Sequence, residues 1–177
     1  MILVTRADVG AAAWARQVRD GVLVPLASGV GRPVDIPDSP GLRALAIAPL
    51  VPAHTALTGT AALWVRGMAV ELPPMPWHVV GERGLHRTVG AHLAFHSGVT
   101  AALAPTMQGR RIATVPRACL DALRWEDLAG ALVQVRALIR DGSVTTRDLR
   151  AALAYDPANG AGFRKVESSV AALAAVT

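Results

Sequence analysis

Residues 5–36 read TRADVGAAAWARQVRDGVLVPLASGVGRPVDI, and this stretch decides the fold class. Thr5 or Asp8 can cap a helix that carries Val9, Ala13, Trp14, Gln17 and Val18 and stops near Asp20-Gly21. Val22 to Leu26 reads as a short strand, Ser28-Gly29 to Gly31 as a turn, and Pro33 to Ile36 as the returning strand. A helix followed by a glycine-tipped hairpin is the closing half of a winged helix. Asp38-Ser39-Pro40-Gly41 then has linker chemistry. The expected division is a truncated winged-helix-like segment over residues 1–40 and an α+β domain over residues 41–177.

Downstream, Leu42 to about Leu50 forms a helix that ends against Pro49 and Pro52. Thr58 opens a further helix, Gly59 to Arg66, stopped by Gly67. Pro73, Pro74 and Pro76 make an extended entry to a strand at Trp77–Val80. His92 to His96 alternates polar and apolar, the pattern of a half-buried strand, and Gly109-Arg110-Arg111 precedes another at Ile112-Ala113. The last third is helical. Pro116 suits the first turn of a helix carrying Ala118, Cys119, Ala122 and Leu123. Leu128, Leu132, Val135, Leu138 and Ile139 share one helical face. Thr145 to Asp148 resembles a capping box for the next helix, and a final helix runs from about Gly162 to Ala175. The expected class is α+β: a winged-helix-like start, a small, mostly antiparallel sheet, and a helical C-terminal third.

Composition excludes several classes of function. No run reaches the ~18–20 apolar residues of a spanning helix; the longest candidate, Ala44 to Ala53, is broken by two prolines. Ala11 to Ala15 resembles a signal-peptide cleavage site, but Arg6 and Asp8 stand where its apolar stretch belongs. The single cysteine, Cys119, excludes an intrachain disulfide and a cysteine-based zinc site, and suits the cytoplasm. None of the five histidines is spaced as HExxH, and Gly29-Val30-Gly31 is a bare turn without a Walker or Rossmann fingerprint. Ser97 beside His96 lacks the setting of a nucleophile elbow. The expectation is a cytoplasmic protein that works by binding, without catalysis, metal or cofactor.

Several stretches, taken in order, resemble actinobacterial antitoxins of the AbiEi family, the type IV toxin–antitoxin class. Val4-Thr5-Arg6-Ala7-Asp8, Gly21-Val22-Leu23-Val24 and Gly29-Val30-Gly31 are similar to the degenerate winged helix at the family's start. Leu57-Thr58-Gly59-Thr60-Ala61-Ala62 through Gly67 is similar to its Leu-Ser-x-x-Ser-Ala-Ala helix, and Pro76-Trp77-His78-Val79-Val80 to its proline-led strand. Thr114-Val115-Pro116-Arg117 through Leu123, and Gly142-Ser143-Val144-Thr145 through Leu153, match its two later elements. The likeness spans nearly the whole chain, with a winged helix shortened at its first helix and no Vsr-like endonuclease domain. It implies an antitoxin for a nucleotidyltransferase-like toxin, often one that also represses its own operon by binding DNA. A stand-alone transcriptional regulator without a toxin partner is the alternative.

The net charge is +5, with arginine outnumbering lysine seventeen to one, and it is unevenly placed. Arg6, Arg16, Arg19 and Arg32 are the candidate phosphate contacts of a helix and wing, against the plainer reading of a solvated face that Asp8 and Asp20 largely neutralise. Arg83, Arg87, Arg110, Arg111 and Arg117 hold most of the excess and are the candidates for an acidic partner, either the toxin or nucleic acid, against the plainer reading of scattered surface arginines. His92 and His96 share a strand face but stand ~13 Å apart along it, too far for one metal. Cys119 reads as a buried small hydrophobe, and the four tryptophans as packing.

Overall fold

The chain is described by a computed structural model for residues 2–81, 92–98, 104–156, 160 and 162–175. The start of the chain forms β1 (Val4–Thr5), α1 (Arg6–Val9), α2 (Ala11–Arg19), β2 (Leu23–Ala27) and β3 (Val30–Pro33). The strands make an antiparallel sheet in the order β1-β3-β2. A single helix was expected here, and two are found. Thr5 and Asp8 close a capping box around α1, but Gly10 at φ 82° leaves the helical region and restarts the chain as α2. The Trp14 ring fixes the roll of α2: its Cη2 lies 2.9 Å from where a Cβ on Gly31 would sit, so only glycine lets the ring lie on β3.

The returning strand ends at Pro33 and does not run on to Ile36. The Arg32 guanidinium donates to the carbonyls of Pro33 and Val34, at 3.3 Å each, and of Ile36, which folds residues 34–36 into a turn. α3 (Pro40–Ile47) follows, with Ser39 Oγ accepting from Leu42 N at 3.2 Å and Pro40 in the first turn. It packs on β2 and on α4 (Gly59–Val65). Leu26, Ala27 and Val30 thereby join the same hydrophobic cluster as the body of the protein.

The second sheet contains β4 (Ala56–Leu57), β5 (Trp77–Gly81), β6 (Leu93–Ser97), β7 (Thr106–Met107) and β8 (Arg110–Ile112), in the order β6-β5-β4-β8-β7. β4–β5 and β7–β8 are antiparallel, whereas β5–β6 and β4–β8 are parallel. The expectation of a mostly antiparallel sheet is corrected to a mixed one. β4 is the reason. This two-residue central strand is too short to carry a period of its own, yet it is fully buried and pairs on both sides. The β7–β8 turn has positive φ at both Gln108 (50°) and Gly109 (73°), as a two-residue hairpin of type I′ requires.

Four helices complete the described chain: α5 (Val115–Trp125), α6 (Leu128–Arg140), α7 (Thr146–Leu153) and α8 (Phe163–Ala175). Asp127 caps α6 through Gly130 N at 2.8 Å, and Thr145 and Asp148 form the expected capping box of α7. α5 packs against α4, α6, α7 and α8, so Ala118 to Leu123 are buried all round the helix. The α+β class with a helical C-terminal third holds. Among the described residues, no helix is long and apolar enough to cross a membrane.

Candidate functional site

The N-terminal elements run strand, helix, helix, strand, strand, with β3 between β1 and β2. α2 turns Ala13, Trp14, Gln17 and Val18 partly inward and leaves Ala11, Ala12, Ala15, Arg16 and Arg19 exposed. The exposed set spans about 140° of the helix at 3.6 residues per turn, one continuous face. The Arg16 side chain makes no hydrogen bond or ion pair with the described residues, and the Arg19 guanidinium pairs only with Asp20, at 3.0 Å on the surface. Arg6 is exposed beside the hairpin tip, where its backbone N donates to Gly29 O at 2.7 Å. Arg32 differs from these three, since its half-buried guanidinium already serves three carbonyls of its own segment.

Among the described residues, the central arginines do not gather into one patch. Arg83 and Arg87 lie outside the described residues. Arg110 Nε donates to Ala48 O at 2.9 Å, tying β8 to the end of α3, while its neighbour Arg111 is half-buried. Arg117 is 2% exposed, so its guanidinium is not available to a partner. Other arginines in the body behave similarly. Arg43 pairs with Asp38 at 2.6 Å and lies over the Trp64 ring; Arg66 donates to the carbonyls of Ile112 and Ala113. Much of the positive charge counted in the sequence is thus tied to backbone oxygens and buried carboxylates, and does not form a free surface.

Around α5 the structure assembles a polar cluster that sequence reasoning missed. Arg117 donates Nε to Asp121 Oδ2 at 3.0 Å, with Nη2 2.8 Å from Oδ1, and a third donor goes to Asp156. Arg124 Nη2 reaches the other oxygen of Asp156 at 2.5 Å, and Thr58 Oγ1 donates to Asp121 at 2.6 Å. Two guanidinium groups thus face two carboxylates. Burial pushes the Asp121 carboxyl up, and the Arg117 guanidinium opposes that shift. Burial alone would lower Arg117, but the Asp121 and Asp156 carboxylates together outweigh it and hold the guanidinium above its usual range. The network joins the start of α4, the middle of α5 and the segment after α7. At the next turn, Glu126 accepts from Thr60 N and Thr60 Oγ1, both at 2.8 Å, covering the open end of α4.

His96 belongs to this region, and its partner is His78, not His92. In the parallel β5–β6 register Val80 faces His96, which places His78 one step diagonally away. His78 Nδ1 and His96 Nε2 are 2.8 Å apart, and the ring centroids are 5.0 Å apart with planes 20° from parallel. The separation matches two rings meeting edge to edge, so a single proton lies between the facing nitrogens. The His96 ring also stacks on Trp125, centroids 3.7 Å apart and planes 3° from parallel. Burial, followed by the charges of His78 and Arg124, brings His96 down to about 4. Burial lowers His78 as well, against the pull of Glu126 and Asp121. The facing nitrogens occupy each other, and among the described residues no group of three or more His, Cys, Asp or Glu is arranged to hold a metal. Cys119 is fully buried on α5, and burial pushes its thiol up to about 12, an inert core residue.

No family model matches the chain, and no curated protein matches it either. Among solved structures, the chain is similar to the crystal structure of the RV2827C protein from Mycobacterium tuberculosis. The match has a TM-score of 0.49 and 16% identity, over 98% of this chain and 72% of that one.

Proposed function

We propose that this protein is an AbiEi-type antitoxin that binds its own operator DNA through α2 and neutralises a nucleotidyltransferase-like toxin, acting by binding and without catalysis. The observation that carries the DNA half is the exposed face of α2, held on the β1-β3-β2 sheet and carrying Arg16 and Arg19, with Asp20 at its C-terminal end as the one acidic neighbour among the described residues of the helix. A helix presented beside a β-hairpin in this way can enter a major groove while the hairpin approaches the backbone. The toxin half rests on the ordered set of motifs from Leu57 to Leu153, with Arg111 as the candidate contact. The cytoplasm is where both partners would be met.

A gel-shift titration against the protein's own upstream DNA and a scrambled duplex, at 50 and 200 mM salt, tests the DNA half. With Arg6, Arg16 and Arg19 each displacing about one condensed counterion as they enter the DNA, log K should fall with log salt at a slope near −2.7 per protomer, a loss of roughly 40-fold over that range. Equal, weak binding to both duplexes at low salt would remove operator binding. Co-expression with the adjacent toxin gene tests the other half. Operator binding without toxin neutralisation would leave a stand-alone regulator.

A further inference from the structure

We infer that α2 reads a short DNA site containing adjacent guanines, with Arg16 and Arg19 as the base-reading residues and Arg6 confined to the phosphate backbone. The inference rests on the operator-binding reading above and assigns roles within it. α2 has nine residues, about 13 Å long at 1.5 Å per residue, which suits a groove about 12 Å wide. Its N-terminal half exposes only the methyl groups of Ala11, Ala12 and Ala15. No long side chain holds that end away from the bases, and alanine methyls can meet the methyl group of thymine.

The two arginines come at the next turn. They are three residues apart, about 4.5 Å along the axis, against about 3.4 Å between successive bases on a strand. Two side chains at that spacing address neighbouring base pairs, and a planar guanidinium forks onto the O6 and N7 of guanine. Arg16 is free to do so. Arg19 is held only by Asp20 in an exposed ion pair, a contact worth little against a groove partner. Arg6 sits off this face, at the start of α1 beside the hairpin tip. Arg32 is excluded from both roles by its three carbonyl partners.

The test selects duplexes from a randomised library with the full chain. Affinities of the selected site and its single-base-pair variants are then measured for the wild type, Arg16→Ala, Arg19→Ala and Arg6→Ala, with thermal melts to check folding. The expected result is enrichment of adjacent G·C pairs. Arg16→Ala and Arg19→Ala should each lose roughly ten- to a hundredfold discrimination at one of them. Arg6→Ala should weaken all sequences alike and reduce the salt slope by about 0.9. Wild-type binding without guanine preference would overturn the inference and leave operator binding standing. So would Arg16→Ala or Arg19→Ala variants that weaken every sequence equally. Wild-type protein that binds no duplex at low salt would sink the operator reading and this inference together.

Discussion

Replacing Asp121 with alanine should destabilise the protein more than any surface change, and the size of the effect follows from what is left behind. Asp121 is fully buried, accepts from Thr58 Oγ1, and sits against the Arg117 guanidinium through both its oxygens. Without it, Arg117 keeps only Asp156, while its Nε and Nη2 lose their acceptors in a site sealed from water. Removing one partner of a buried ion pair costs about 3–5 kcal/mol. For a chain of this size, each kcal/mol moves Tm by about 2–4 °C, so Asp121→Ala should melt roughly 6–20 °C below the parent. Thermal unfolding followed by circular dichroism at pH 7 reads this directly. The double variant Arg117→Met with Asp121→Leu should recover at least half of the loss, because apolar packing replaces the pair without stranding a charge. An Asp121→Ala protein that melts within about 2 °C of the parent would refute the reasoning. It would mean that water reaches the cluster, or that the guanidinium finds another acceptor. The same logic predicts that Arg117→Ala impairs toxin binding only as far as it depletes the folded protein.

The histidine pair should make stability depend on pH between 6.5 and 4. Its folded-state values lie below the ordinary histidine value, so the unfolded chain takes up protons first. That contribution is therefore complete above about pH 6.5 and declines as pH falls toward 4, by about 1–2 kcal/mol after allowance for the half-exposed rings. Urea denaturation at pH 7 and pH 4.5 should show a smaller decline for His96→Gln than for the parent; equal declines would clear the pair of responsibility. Gly59→Ala should cost about 2–4 kcal/mol, since Gly59 has φ +66° and an added Cβ would lie 2.1 Å from Glu126 Oε1, displacing the carboxylate from Thr60. A loss below about 0.5 kcal/mol in chemical denaturation would show that the cap relocates freely. Arg111→Glu should weaken toxin binding while Tm stays within about 2 °C, as measured by co-purification and thermal melting; unchanged capture would remove Arg111 from the interface.

Elements with local causes were readable from sequence. The Thr145–Asp148 box and the repeated apolar face of α6 each involve residues within a few positions of one another, and α6 and α7 appear where expected. Gly10 was equally local, but its effect was hidden: a glycine in an otherwise periodic stretch is tolerated or breaks the helix according to what packs around it, and here Trp14 on Gly31 sets the new direction. Strand pairing was out of reach. The parallel partners of β5 and β4 are separated from them by intervening chain, and a two-residue strand such as β4 has no pattern to read.

Sequence alone therefore determined the α+β class and the helical last third, because capping and periodicity act over one or two turns of chain. It also determined how many arginines there are, but not which of them face water. That was decided by tertiary structure, which buried Arg117 against Asp121 and Asp156, folded Arg32 onto its own carbonyls, and left Arg6, Arg16 and Arg19 exposed. The pairing of His78 with His96 was decided at the same level, by the register of two strands. The physical reason is common to these cases. Burial and ion pairing join groups distant in the chain, and their energy depends on the solvent that packing removes, which no local stretch of sequence encodes.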